Sequence, residues 1–334
     1  MKNLLLGMVA IMLLFHSCKK EDAVAPKEMA NSKKFAVNFR VSGFKLSVEG
    51  ISKLSAAPTI AATPADSSSI GEIYYLVYNS EGEELYRKLQ ASDGYTSKYA
   101  PDSDPEFQEG EFGNIQDSLS AGTYTIVFLA GPINTFGINY YQPYEQSVFR
   151  PLSEASFEYG GGLDNWSRAT ETFYKKLTVT VGSEPLEQNV TLDRIVGKII
   201  VHLEDVIPAN AAYFRFFYNG ETIGIMLNDL SNFNPADDEE YAPKIPITEE
   251  DKEEAGYEHR QYISNTNTPI EVVINCYDAD DNIIASKTVS NVPVDKNKKT
   301  ILTGRLFSTG TTTPASFSIS LNDEWDEETE NIPF

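Results

Sequence analysis

From about residue 34 onward the chain is written in short runs that alternate apolar and polar residues, and this period of two limits its fold more than any other feature. In a strand, successive side chains point to opposite faces, so alternation marks a sheet with one face buried. The runs are rich in Val, Ile, Thr, Tyr and Phe, which suit a pleated surface. Clear cases are FAVNFRVSGF (35–44), EIYYLVYN (72–79), GTYTIVFLAG (122–131), YKKLTVTVG (174–182), GKIIVHLED (197–205), YFRFFYNG (213–220), IEVVINCYD (270–278), IIASKTVSNV (283–292), TILTGRLF (300–307) and ASFSISLND (315–323). Hairpin-loop compositions, NSEGEE at 79–84 and DADDN at 278–282, separate some of them. No long stretch shows a 3.6-residue apolar period, so any helix is expected to be short. The expected class is all-β, and 334 residues suit two domains with substantial cores.

The N-terminus has its own logic. Lys2 precedes an uncharged apolar run from Leu4 to Phe15. That run is shorter than the roughly 20 residues a spanning helix needs, and it ends at small residues, as secretory signals do. Ser17 sits directly before Cys18. The arrangement resembles the lipobox of bacterial lipoproteins, with Phe15 and His16 departing from its usual pattern. The resemblance implies cleavage before Cys18 and acylation of that cysteine. More than one acyl chain gives stable anchoring, since each buried methylene adds about 0.8 kcal/mol. Lys20, Glu21 and Asp22 resemble the export signal that sends Bacteroidota lipoproteins to the outer face of the outer membrane. Residues 1–17 then read as the signal peptide and 18–33 as a polar tether.

Charge and residue usage exclude several functions. With 27 Lys and Arg against 49 Asp and Glu, the formal net charge is −22. Nucleic acid and anionic headgroups would repel such a chain. Once Cys18 carries lipid, Cys276 has no partner and no disulfide framework exists; it reads as a small buried hydrophobe in a strand. After processing only His202 and His259 remain, neither at metal-ligand spacing, so no zinc site is expected. There is no nucleophile elbow, Walker loop or dinucleotide fingerprint. DADDN fails as a calcium loop, because Ile283 and Val289 stand where Gly and Glu are needed. No catalytic residue, metal or cofactor is assigned.

Three segments break the strand rhythm: 54–70, rich in small residues; 132–166, rich in Tyr; and 234–258, acidic. Long excursions in a compact domain are usually functional or mobile. Tyr140, Tyr141, Tyr144 and Trp166 form a candidate ligand surface, because Tyr offers contact area with a polar handle. The plainer expectation is that they simply cover the sandwich.

A weak internal echo links FAVNFRVSGF and IYYLVYNSEGEELYRKL to GKIIVHLEDV and VVINCYDADDNIIASKTV. Each unit starts with one long strand and reaches an acidic-tipped hairpin. LSAGTYTIVFLAG, then VTLDRIVGKIIVHLED, then ILTGRLF with FSISLNDEW, together resemble the fimbrillin superfamily of Bacteroidota, the type V pilus subunits and their anchor lipoproteins. The most specific stretch is Leu192 to Ile199. The resemblance implies two tandem transthyretin-like β-sandwiches, here residues 34–190 and 191–334; the strand pattern passes between them with almost no spacer, so a stiff joint is expected. It also implies assembly with other fimbrial subunits by strand donation, in which polymerising subunits lose their first strand after a basic residue. Arg40, Lys45 and Lys53 are the candidate processing sites, and Arg40 falls inside a strand. The expected role is therefore a lipid-anchored accessory or anchor subunit of a surface fimbria, without catalysis. The alternative is a surface lipoprotein that binds carbohydrate or another ligand through the 132–166 segment.

Overall fold

The computed structural model describes residues 33–45, 70–92, 106–108, 110–133, 135–141, 146–147, 149–160, 168–235, 242–307 and 317–322. In chain order the strands are β1 (Lys34–Lys45), β2 (Glu72–Tyr78), β3 (Glu84–Ala91), β4 (Glu106–Phe107), β5 (Asn114–Ser120), β6 (Gly122–Gly131), β7 (Phe136–Ile138), β8 (Tyr140–Tyr141), β9 (Gln146–Ser147), β10 (Ser156–Tyr159) and β11 (Phe173–Val181). They continue as β12 (Leu186–Arg194), β13 (Gly197–Leu203), β14 (Tyr213–Asn219), β15 (Thr222–Met226), β16 (Asn232–Pro235), β17 (Ile245–Pro246), β18 (Glu258–Ile263), β19 (Ile270–Tyr277), β20 (Ile283–Val292), β21 (Lys299–Gly304) and β22 (Phe317–Asn322). The protein is all-β. Among the described residues the helical content is one 3-10 turn, Glu250–Lys252, and no helix is long and apolar enough to cross a membrane.

The first half is an eight-stranded sheet in the order β4-β3-β2-β6-β11-β12-β1-β5. It folds over on itself. β11 meets β12 only at Phe173–Arg194 and Tyr174–Asp193, and from there the two leaves diverge. Val37 and Phe39 of β1, Tyr75 and Val77 of β2 and Phe128 of β6 fill the space between the leaves. β2 is buried along its whole length because its leaf is covered on both sides. Ile73, Tyr75 and Val77 face the first core, while Tyr74, Leu76 and Tyr78 face a second. That explains why EIYYLVY is apolar almost throughout rather than alternating.

The second core lies beneath a four-stranded sheet, β16-β15-β10-β7. Its strands come from distant segments. β7 and β10 belong to the Tyr-rich 132–166 stretch, and the β15–β16 hairpin follows β14. Phe136, Phe157 and Tyr159 pack edge-on or tilted in this core, with centroids 5.3 to 5.9 Å apart. Phe136, Ile138, Ala155, Phe157 and Tyr159 of that stretch are therefore core.

The last part is a sandwich of β18-β13-β21-β22 against β17-β14-β19-β20. β19 reads buried and half-buried by turns, with Ile270, Val272, Ile274 and Cys276 inward. Burial pushes the Cys276 thiol up to about 12, the behaviour of an inert core residue.

Half of the echo in the sequence has a structural counterpart: FAVNFRVSGF and GKIIVHLEDV are the equivalent strands β1 and β13, whereas the β2–β3 hairpin corresponds to β14 and β17 and not to the β19–β20 hairpin. β1 lies between parallel β12 and antiparallel β5, and β13 lies between parallel β21 and antiparallel β18. β3-β2-β6-β11 corresponds to β17-β14-β19-β20, antiparallel throughout. Seven strands thus repeat; β22 has no counterpart in the first set. The sequence point 190/191 lies within β12, and the repeat changes over between Arg194 and Gly197.

Candidate assembly site

The most constrained element is β1. Its residues pair on both sides: Val37 with Asp117 and Leu186, Phe39 with Ile115 and Gln188, and Arg40 with Asn114 and Asn189. Val37 and Phe39 are fully buried. The Phe39 ring sits 5.4 Å from Phe128 and 5.8 Å from Tyr75, centroid to centroid. The register breaks between Val41 and Phe44, where Val41 N–H donates to Gly113 O at 2.7 Å. Gly113 has φ +87°, and a Cβ there would lie 2.8 Å from the Val41 carbonyl oxygen, so this crossing needs glycine.

β5, the outer neighbour of β1, is tied back to the other leaf. Asp117 Oδ2 accepts from Tyr75 Oη at 2.9 Å and from Tyr86 Oη, and Oδ1 meets Lys88 Nζ at 2.8 Å. Burial and the adjacent carboxylate hold the Tyr75 hydroxyl well above its ordinary pKa, so it stays a donor. Gln90 Nε2 donates to Glu111 O, and Gln90 Oε1 accepts from Gly113 N–H. The frame around β1 therefore holds contacts that do not pass through β1.

Of the residues singled out in the sequence, Arg40 lies in β1 with an exposed side chain and a backbone paired on both sides. Lys45 ends β1 opposite Asp193. Tyr140 and Tyr141 form β8, opposite Ser147 and Gln146 of β9. Cys18, Lys20, Glu21, Asp22, Lys53, Tyr144 and Trp166 lie outside the described residues. The described geometry thus places β1 and β8.

Two polar sites had no signal in the sequence. Glu84 and Arg87 form a fully buried pair at 2.6 Å; Glu84 also accepts from Asn139 Nδ2 and Arg150 N–H. This fastens β3 to the chain on either side of the β8–β9 pair. Glu221, at the turn from β14 to β15, is buried and accepts from Ser264 N–H and Oγ, both at 2.7 Å, and from Asn265 N–H. Burial outweighs these donors and lifts its carboxyl to about 7. Nearby, Arg168 donates to Phe216 O at 2.8 Å and lies over the Tyr218 ring. His259 stacks on Phe216 at 4.0 Å, and burial lowers its pKa to about 4. His202 Nδ1 is 3.3 Å from Glu258. Among the described residues no group of three His, Cys, Asp or Glu is placed to hold a metal.

Comparison with known proteins agrees with this architecture. The model of a family of unknown function, DUF6562, matches residues 76–334. A solved candidate adhesin from Bacteroides thetaiotaomicron superposes with a TM-score of 0.52 at 13% identity, covering 89% of this chain and 98% of its own. A candidate polysaccharide-binding protein (DUF1812) from the same organism gives 0.50 at 10% identity, covering 87% and 96%. The fimbrial anchor protein Mfa2 from Porphyromonas gingivalis gives 0.47 at 10% identity, covering 87% and 98%. No curated protein sequence matches the chain. At 13% and 10% identity the likeness to the first two is one of fold.

Proposed function

We propose, for a chain that belongs to the DUF6562 family of unknown function, the role of a structural component of cell-surface fimbriae: a lipid-anchored accessory or anchor subunit that joins its neighbours by β-strand donation. The observation that carries this reading is the placement of β1. The first strand of the fold is wedged between two strands that are fastened elsewhere. A strand in that slot gains backbone partners on both sides and buries its alternate side chains. Full burial of each large apolar side chain contributes about 1.5–3 kcal/mol. The fold shared with a candidate adhesin supports a surface role.

In this reading the chain keeps β1 and its lipid on Cys18, with Lys20, Glu21 and Asp22 directing export to the outer membrane. Cleavage after Arg40 would need a backbone that is paired on both sides. No catalytic role is proposed. The test is an immunoblot of outer-membrane fractions, unheated and boiled. A ladder of high-mass species that collapses to one band on boiling is expected. One band in both lanes would sink the polymer reading. A mature N-terminus at residue 41, 46 or 54 would show that β1 is lost.

A second reading is favoured by the position of β8. Among the described residues Tyr140 and Tyr141 pair with β9 alone, in a two-stranded unit outside the larger sheets. A carbohydrate ligand could meet them together with Tyr144 and Trp166. A glycan-array signal lost on Tyr140→Ala or Trp166→Ala would support it; an unchanged signal would remove it.

A further inference from the structure

The sheet edges differ in how they are guarded. An unpaired edge invites pairing with another chain, and proteins blunt edges with charge, proline, bulges, inward-pointing charge or short length. β5 carries Asp117 on its inner face, and Gln108 Nε2 caps the Gln116 carbonyl at 2.8 Å. β18 carries Glu258 and Arg260. β20 places Lys287 opposite the core residue Ile274, and its register is broken at two points. β16 and β17 contain Pro235 and Pro246, and β4 and β7 are two and three residues long. β22 has none of these devices among the described residues. It is six residues long, uncharged, free of proline and regular in register against β21. Ser318 and Ser320 are exposed, and Ile319 is 40% exposed although it pairs with the core residue Leu302.

β22 also lies outside the internal repeat. Its sequence, Phe317-Ser-Ile-Ser-Leu321, is symmetric in polarity about Ile319. An interface related by a two-fold axis must be self-complementary. Antiparallel pairing about Ile319 sets Phe317 against Leu321, Ser318 against Ser320 and Ile319 against itself. The acidic run after β22, Asp323 to Glu330, would then leave from opposite ends of the pair in the two copies. Parallel pairing would place the two runs side by side.

We infer that β22 is a self-association edge, at which a second copy of this chain pairs antiparallel about Ile319 and joins two β18-β13-β21-β22 sheets into one. This association is reversible and distinct from strand donation at β1, since no strand leaves its own fold. The formal charge of −22 opposes it at long range, so salt strengthens it.

The test is sedimentation equilibrium of the purified full chain at low and moderate ionic strength, with Ile319→Cys cross-linking alongside. A dimer is expected, increasing with salt and lost in Ser318→Lys, whose side chain points away from the core. Ile319→Cys is expected to cross-link between copies under mild oxidation, because directly opposed residues in an antiparallel pair have Cβ atoms about 4.5–5.5 Å apart. Ser318→Cys, which faces Ser320 of the other copy in this register, is expected not to. A monomer at every salt concentration overturns the inference. So does a dimer that survives Ser318→Lys, or one in which Ile319→Cys fails to cross-link. A detergent-resistant, heat-sensitive ladder that persists in Ser318→Lys would come from the β1 slot; the Ile319→Cys cross-link, present or absent, then decides for or against pairing at β22.

Discussion

Phe39 shows what a single side chain contributes to this fold. It is fully buried between two leaves and touches rings from β2 and β6. Phe39→Ala is expected to lower stability by about 3–5 kcal/mol, as such truncations do in packed cores. Urea denaturation monitored by far-ultraviolet circular dichroism would check it; a loss under about 1 kcal/mol would mean that the slot collapses around the gap. Glu221 and His259 act through protons, with opposite signs. The Glu221 carboxyl is raised in the fold to about 7 from an ordinary 4.5, so its stabilising contribution is full below 4.5 and lost as pH rises through 7. His259 is lowered to about 4 from an ordinary 6.5, so its contribution is full above 6.5 and lost as pH falls through 4. The two slopes oppose each other between about pH 4.5 and 6.5. Glu221→Gln is expected to unmask the His259 slope, giving a steeper fall in melting temperature on acidification from pH 7 to 5. Identical profiles for variant and wild type would refute this. Neither residue announces itself in the sequence. Glu221 follows a strand and a glycine in an ordinary turn composition, and only the distant Ser264–Asn265 loop makes it special.

At the level of elements, alternation located eight of the 22 strands almost to the residue: β6 and β20 coincide with their expected limits, and β1, β2, β11, β13, β14 and β19 fall within a residue or two. β5 escaped because NIQDSLS turns a charge inward, and a strand holding Asp117 against Tyr75, Tyr86 and Lys88 looks like a loop. β7, β10 and β15 escaped for another reason. Each is short and pairs across long sequence separations, so no local pattern reveals the sheet they build. The Tyr-rich stretch was legible as unusual, but not as the source of two core strands, β7 and β10. β1 itself was legible, including the position of Arg40 inside it, and that position makes a prediction. A protease needs several residues of extended, unpaired backbone, and Arg40 has pairing on both sides. Brief trypsin treatment of the folded chain is expected to leave the Arg40–Val41 bond intact while exposed loops are cut. N-terminal sequencing that finds early cleavage at residue 41 would show that β1 leaves its slot readily.

For the whole molecule, the β15–β16 hairpin matters most. It follows β14 in the chain, yet β15 pairs with β10 and lays Ile225 over the second core. Tyr174 Oη of β11 donates to Leu227 O. The chain therefore leaves the last sandwich to finish covering the first part, then returns. A fragment of residues 33–196 is expected to lack a cooperative thermal transition and to bind an apolar dye, because Leu76, Val127 and Leu129 lose part of their cover. A sharp transition for that fragment, matching the intact chain, would show the cover to be dispensable.

β1 begins at the first described residues and runs along its neighbours rather than across them. Tension applied at residue 33 and resisted by the body of the protein would act along that axis. The bonds to β5 and β12 would be loaded together in shear, whereas a pull at right angles would open them one after another. In a tethered protein, the strand that completes the fold would thus also be the strand that bears the load. Single-molecule extension from residue 33 should require markedly more force than extension from the β15–β16 turn at residue 229.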